Sequence, residues 1–189
     1  ASSLLKELLS LARALSLRFA EKKKERGFID FSDMEHFALE ILLRKENGER
    51  IPSDVAKSYR AFFDEVMGDE YQDSNAIQES LLNAVSKDDP TVGNRFMVGD
   101  VKQSIYRFRL AEPEIFREKY DSYPTEEAGK NIRLDLSSNF RSRTEVLDAV
   151  NCVFEDSMDT SVGEIEYDES ARLYYGATSY GGPKKDAKA

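Results

Sequence analysis

Apolar residues recur at helical spacing from the start of the chain. Leu4, Leu5, Leu8, Leu11, Leu15 and Phe19 fall on one stripe, which predicts a helix to about Lys24, with Gly27 as its stop. Lys6, Glu7, Arg13 and Arg18 interrupt that stripe, so the segment reads as an amphipathic helix and not a signal peptide. "DFSDMEHFALEILL" predicts a second helix, with Ser32 as N-cap and Glu35 completing a capping box. "ENGERIPSD" reads as a loop, after which Ser53 caps a short helix to about Arg60. Two short apolar runs, "FFDEVMGD" and "RFMVGD", predict strands, each ending in a carboxylate. A helix capped by Ser74 runs between them to about Val85, and "KDDPTVGN" is a loop. "EPEIFREKY" predicts another helix, "PTEEAGKN" a linker, and "IRLDLS" a third strand. A last helix follows from Ser142 to about Phe154, and "GGPKKDAKA" reads as a loop or disordered tail. Strands alternating with helices imply an α/β fold with a parallel sheet flanked by helices.

Composition narrows the class. With 189 residues, 40% apolar and 33% charged, the chain suits one good core or pieces of two domains. The net charge of −9 argues against a uniformly basic nucleic-acid binder. The positive charge is nevertheless concentrated: Arg95 to Arg109 carries four basic residues and one acidic, and Asn131 to Arg143 three and one. No apolar run is long enough to cross a membrane. The single Cys152 excludes an internal disulfide and fits a reducing cytoplasm; its helical pattern predicts buried packing. Lone His36 reads as packing on an apolar helix face, and Asp30 and Asp33 mainly as helix caps.

Polar chemistry gathers at the predicted strand ends, which in an open parallel sheet form the ligand edge. In "DEYQDS", an apolar strand ends in Asp69-Glu70. Such a pair suits metal-assisted phosphoryl transfer: the Asp holds Mg²⁺ through water, and the Glu orients and deprotonates the attacking water. Alone the pair is weak, but "VGDVKQSIYRFR" and "LSSNFRSR" follow it in order. In "QSIYRFR" aromatics alternate with arginines, which suits base stacking and phosphate neutralisation. The competing reading of Tyr106 and Phe108 is core packing, and of Arg141 a surface salt bridge. Asp100 either tunes a nucleotide site or caps the next turn.

The ordered trio resembles the UvrD/Rep-type superfamily 1 DNA helicases. Within that group it is most similar to the AddA-type helicase–nuclease subunits of bacterial AddAB recombination complexes, along "DFSDMEHFALEIL", "GDVKQSIYRFRLAEPEIFREKY" and "LSSNFRSRTEVLDAVN". The resemblance runs from about Leu4 to about Tyr175. It implies a partial RecA-like P-loop NTPase fold with ATP and Mg²⁺ as cofactors. It also implies single-stranded and duplex DNA ends as substrates, and a second subunit of AddB type as partner. Asp69 and Glu70 match the Walker B pair, and Gln103 the glutamine that senses the γ-phosphate. Tyr106, Arg107, Phe108 and Arg109 match the DNA-contacting segment, and Arg141 the arginine that reaches the γ-phosphate from the second domain. On this basis residues 1–26 form a leading helix and 27–123 the latter part of the first RecA-like domain. Residues 124–131 are a linker, and 132–189 begin the second domain and the tail.

Two features depart from the family pattern. No G-x-x-x-x-G-K-[ST] phosphate loop is present: the one Gly-Lys pair, Gly129-Lys130, has Pro124 before it and Asn131 after it. With the opening "ASSL" lacking Met, this leads to the expectation of an inactive central slice of a larger protein. Gly68 stands where an apolar residue normally precedes the Walker B Asp, which predicts a weakened or bulged strand. An ATP-driven enzyme fragment and a non-catalytic DNA-binding or interaction module are both open readings, separated by whether a phosphate loop lies upstream.

Overall fold

A computed structural model describes residues 3–126, 129–159, 161 and 166–177. The expected tail at 181–189 and part of the expected linker lie outside them. Among the described residues the architecture is mixed α/β, with helices and three short strand pairs, two of them parallel. It divides into two compact units, Ala1–Asp64 with Ala76–Lys87, and Glu65–Asn75 with Asp88–Ala189.

The first unit is built from helices and one hairpin. Helix α1, Ser3–Arg26, keeps its apolar stripe exposed. Gly27, at φ +66°, ends it in the left-handed conformation that a side chain disfavours. Helix α2, Phe31–Leu42, is capped by Asp30, not by Ser32. Asp30 Oδ1 accepts from Asp33 N–H, and Asp33 Oδ2 accepts from Asp30 N–H, both at 2.9 Å. Asp outcompetes Ser there because both halves of the box are carboxylates facing an unpaired helix start. His36 is exposed, with its Nδ1 2.7 Å from Ser32 O, so it is not a packing residue.

The expected loop after α2 is a β-hairpin, with β1, Leu43–Glu46, antiparallel to β2, Glu49–Pro52. Asn47 and Gly48 both have positive φ, as a two-residue primed turn requires. Ser53 then caps α3, Asp54–Phe62, as expected. Helix α4, Ala76–Val85, packs on α2 and α3. Arg60 of α3 donates to the carbonyls of Ala84 and Asn83, closing the last turn of α4, and Leu39, Ala56 and Ala84 form the small buried centre.

In the second unit β3, Val66–Gly68, runs parallel to β4, Arg95–Met97. Phe62 belongs to α3, so the strand is shorter than "FFDEVMGD" predicts. Gly68 pairs in register with Met97, and its carbonyl accepts from Val98 N–H at 2.8 Å. A Cβ at Gly68 would meet only Tyr71 Cδ2, at 3.8 Å, so neither a bulge nor a close backbone approach explains the glycine.

Helix α5, Pro113–Ser122, starts on a proline at its first turn. "IRLDLS" is not a strand: Leu134 and Leu136 are 68% and 88% exposed, and among the described residues no ladder forms there. Strand pairing instead begins at β5, Ser138–Asn139, parallel to β6, Tyr174–Tyr175. Helix α6, Thr144–Ser157, carries buried Asn151, which bonds both backbone groups of Leu173 and accepts from Tyr167 Oη. Cys152 is exposed, because α6 buries Leu147 and Asn151 and turns position 152 outward.

Candidate nucleotide and DNA site

Parallel pairing brings the carboxyl ends of β3 and β4 to one edge, so Asp69-Glu70 and Asp100–Gln103 emerge side by side. Asp69 and Glu70 are both exposed, and Asp69 Oδ1 accepts from Glu70 N–H at 2.9 Å. Glu70 has φ +49° and ψ 41°, a left-handed conformation uncommon for a residue with a Cβ. It reverses the chain into a single 3-10 turn at Tyr71–Asp73.

That turn is held from below by Tyr71, which is 2% exposed. Tyr71 N–H donates to Val98 O, its ring meets Phe116 edge-on at 5.9 Å, and its Oη accepts from Arg95 Nη2 at 2.9 Å. Gln72, 1% exposed, donates through Nε2 to Glu70 Oε2 at 2.6 Å and accepts at Oε1 from Asp100 N–H at 3.0 Å. Asp100 in turn caps the next 3-10 turn, Val101–Gln103. Its carboxylate accepts from Lys102 N–H and Nζ and from Gln103 Nε2, at 2.9–3.1 Å. Four residues, Glu70, Gln72, Asp100 and Gln103, therefore form one hydrogen-bonded chain. Asp73 ends the same 3-10 turn, and its Oδ1 is buried with no hydrogen-bond partner among the described residues. Burial, and secondarily the Glu70 charge, hold its carboxyl above the usual range.

Beyond Gln103 the chain presents aromatics. Tyr106 and Phe108 are 38% and 76% exposed, their rings 5.9 Å apart and tilted by 49°. Phe108 is thus not core. Arg107 is engaged by Glu114, Nη2 to Oε1 at 2.6 Å, and Arg109 closes the Arg107–Arg109 turn. Arg141 stands on a separate support. Asn139 Oδ1 accepts from the N–H groups of Arg141 and Ser142, both at 2.9 Å, which turns the chain just after β5. Phe140 lies over Gly176, where a Cβ would fall 2.8 Å from the ring. Among the described residues no hydrogen bond joins this segment to Asp69 or Glu70.

Gln72, Asp73, Asn139 and Gly176 belong to this architecture although no motif role pointed to them. "YQD" directly after the carboxylate pair and "SSN" before the arginine were the available signals. Among the described residues no three His, Cys, Asp or Glu side chains gather as a metal cage. An exposed carboxylate pair at a strand end suits a hydrated Mg²⁺ shared with phosphates, which needs only one or two protein carboxylates.

A family model described as the UvrD/REP helicase N-terminal domain matches residues 6–124. The chain belongs to the UvrD/REP helicase N-terminal domain family. It is also similar to proteins named as subunits of an ATP-dependent helicase/nuclease. The one from Listeria innocua is 54% identical over 174 residues, covering 92% of this chain and 14% of that protein. Those from Listeria welshimeri and Bacillus cereus are 53% and 51% identical, with the same shares covered. The chain thus spans 14% of the length of these relatives.

Proposed function

We propose that the chain is a central piece of an ATP-dependent DNA helicase–nuclease subunit that unwinds and processes double-strand DNA ends for recombinational repair. Residues 27–123 would be the latter part of a first RecA-like domain, 124–131 a linker and 132–189 the entry to a second. The parent protein would work in the cytoplasm with a second subunit of AddB type. The observation that carries this reading is the shared edge of β3 and β4. It joins one carboxylate of the pair to an amide-bearing turn by hydrogen bonds, and an exposed aromatic pair follows three to five residues further along the chain.

In this reading Asp69 holds Mg²⁺, which when bound neutralises charge on the phosphate oxygens. Glu70 accepts the proton of the attacking water, Gln103 responds to the γ-phosphate, and Asp100 orders the turn that presents Gln103. Tyr106 and Phe108 stack on bases while Arg107 and Arg109 meet phosphates. Arg141 supplies positive charge to the transition state. The likeness to helicase/nuclease subunits over 92% of the chain supports these assignments. The test is DNA-stimulated ATP hydrolysis by the full-length protein. Glu70→Gln should cut turnover to a small residual rate while single-stranded DNA binding persists; undiminished turnover would overturn the reading and favour a non-catalytic DNA-binding module.

A further inference from the structure

Gln72 is an amide with no freedom left. Its oxygen must face Asp100 N–H, a pure donor, and its NH₂ must face the Glu70 carboxylate, a pure acceptor. Swapping the two ends would set donor against donor and acceptor against acceptor, so the partners dictate the orientation. The chain after β4 is pressed against it: a Cβ at Gly99 would fall 2.7 Å from Gln72 Oε1 and 3.2 Å from Gln72 N. A movement of Gly99-Asp100 toward Gln72 would press on its side chain, and one away from it would stretch the Asp100 N–H bond to Gln72 Oε1. Either effect reaches Glu70 Oε2 through the 2.6 Å bond. Glu70 itself is exposed and attached to a left-handed backbone, so this bond restricts a carboxylate that would otherwise sample several rotamers.

We infer that Gln72 is a positioning residue that sets the Glu70 carboxylate according to the placement of the Gly99–Gln103 loop. Through it, the segment carrying Tyr106 and Phe108 is tied to the group that activates water. The inference rests on the proposed role of Glu70. It adds a link from the loop to the base that runs through buried Gln72 and the Asp100 backbone, not through the Gln103 side chain.

The experiment uses the full-length protein and two substitutions. Gln72→Met keeps the length and removes both hydrogen bonds; Gln72→Asn keeps an amide but is one methylene too short to span Glu70 and Asp100. Each should lower DNA-stimulated kcat on the order of 10- to 100-fold, the usual effect of misplacing a reacting group. The KM for ATP and the affinity for a single-stranded oligonucleotide should stay within about twofold of wild type. Amide exchange at Asp100 should accelerate in both, a readout independent of turnover. Placed on Glu70→Gln and followed in single turnover, neither should lower the residual rate further, because Gln72 acts only through Glu70. If Gln72→Met melts early, Gln72→Asn carries the comparison. Wild-type kcat in a folded variant, or an added loss on the Glu70→Gln background, would overturn the inference. Full activity of Glu70→Gln itself would instead overturn the functional reading beneath it.

Discussion

Phe108 offers 76% of its surface to solvent, and Tyr106 lies beside it at 5.9 Å. An exposed aromatic costs little fold stability to remove, so the two readings of "YRFR" now give different numbers. In the full-length protein Phe108→Ala should weaken single-stranded DNA binding by about 1–3 kcal/mol, the worth of one stacked base. The melting temperature should hardly move; a large drop with unchanged DNA affinity would refute stacking. The glycines at the two strand ends also separate at this scale. Gly68 has room for a methyl group, with Tyr71 Cδ2 at 3.8 Å as its only neighbour, whereas Gly99 has Gln72 Oε1 at 2.7 Å. Gly68→Ala should raise stability by about 0.4–1 kcal/mol by restricting the unfolded chain. Gly99→Ala should lower it by about 1–3 kcal/mol through overpacking. Thermal melts of the pair test this, and equal effects would show that Gly99 is not packed against Gln72.

Helices were legible where spacing and caps coincided, as at α1 and at α3 behind Ser53, and the parallel strands were legible from their carboxylate ends. The hairpin was missed although Asn47-Gly48 is its direct signature, because the polar flanks "RKE" and "ER" hide the alternation that normally marks a strand. "IRLDLS" erred the other way: it has strand propensity, but a strand exists only with a neighbour, and no local pattern reports one. Gln72 was invisible for a related reason, since its role lies in reaching across 28 positions to Asp100. The α1–α2 elbow was half legible, as Asp30 and Asp33 read as caps but Lys23 did not read as their partner. Lys23 Nζ lies 2.9 Å from Asp30 and 2.6 Å from Asp33. Its hydrogen bonds, chiefly, hold both carboxyls below the ordinary 3.8, and theirs hold the ammonium above 10.5. Depressed carboxyls stabilise above their unfolded value and lose that contribution as pH falls through the folded ones. The raised ammonium stabilises below its unfolded value and loses its contribution as pH rises through the folded one. The elbow is therefore firmest between those limits. Lys23→Met should flatten the fall in melting temperature between about pH 7 and pH 3. An acid slope identical to wild type would show that the elbow contributes nothing.

Across the whole molecule, net charge and the lack of a phosphate-loop pattern in the 189 residues set what this chain does alone. A net charge of −9 opposes DNA at long range, and the basic residues of the motif segments are few. The 189 residues include no phosphate loop, so the isolated chain should release no phosphate from ATP, with or without DNA. The proposed two-domain mechanism of the full-length protein would depend on Arg141. Its backbone is fixed by Asn139 Oδ1, by the β5–β6 pair and by Phe140 over Gly176, while its side chain is exposed. A rigid base under an outward guanidinium suits a group that meets its target only when a nucleotide is bound. A surface charge would need no such base. Arg141→Ala should spare DNA binding and cut DNA-stimulated turnover by about 10³–10⁵, the range for arginines that act on a transferring phosphoryl group. Arg141→Lys should not rescue it, because an ammonium lacks the planar fork. Asn139→Ala should lose part of the same turnover with Arg141 intact, since it removes only the turn that aims the arginine. Near-normal turnover in Arg141→Ala or Arg141→Lys would reduce Arg141 to a surface charge and remove the second domain from the catalytic reading.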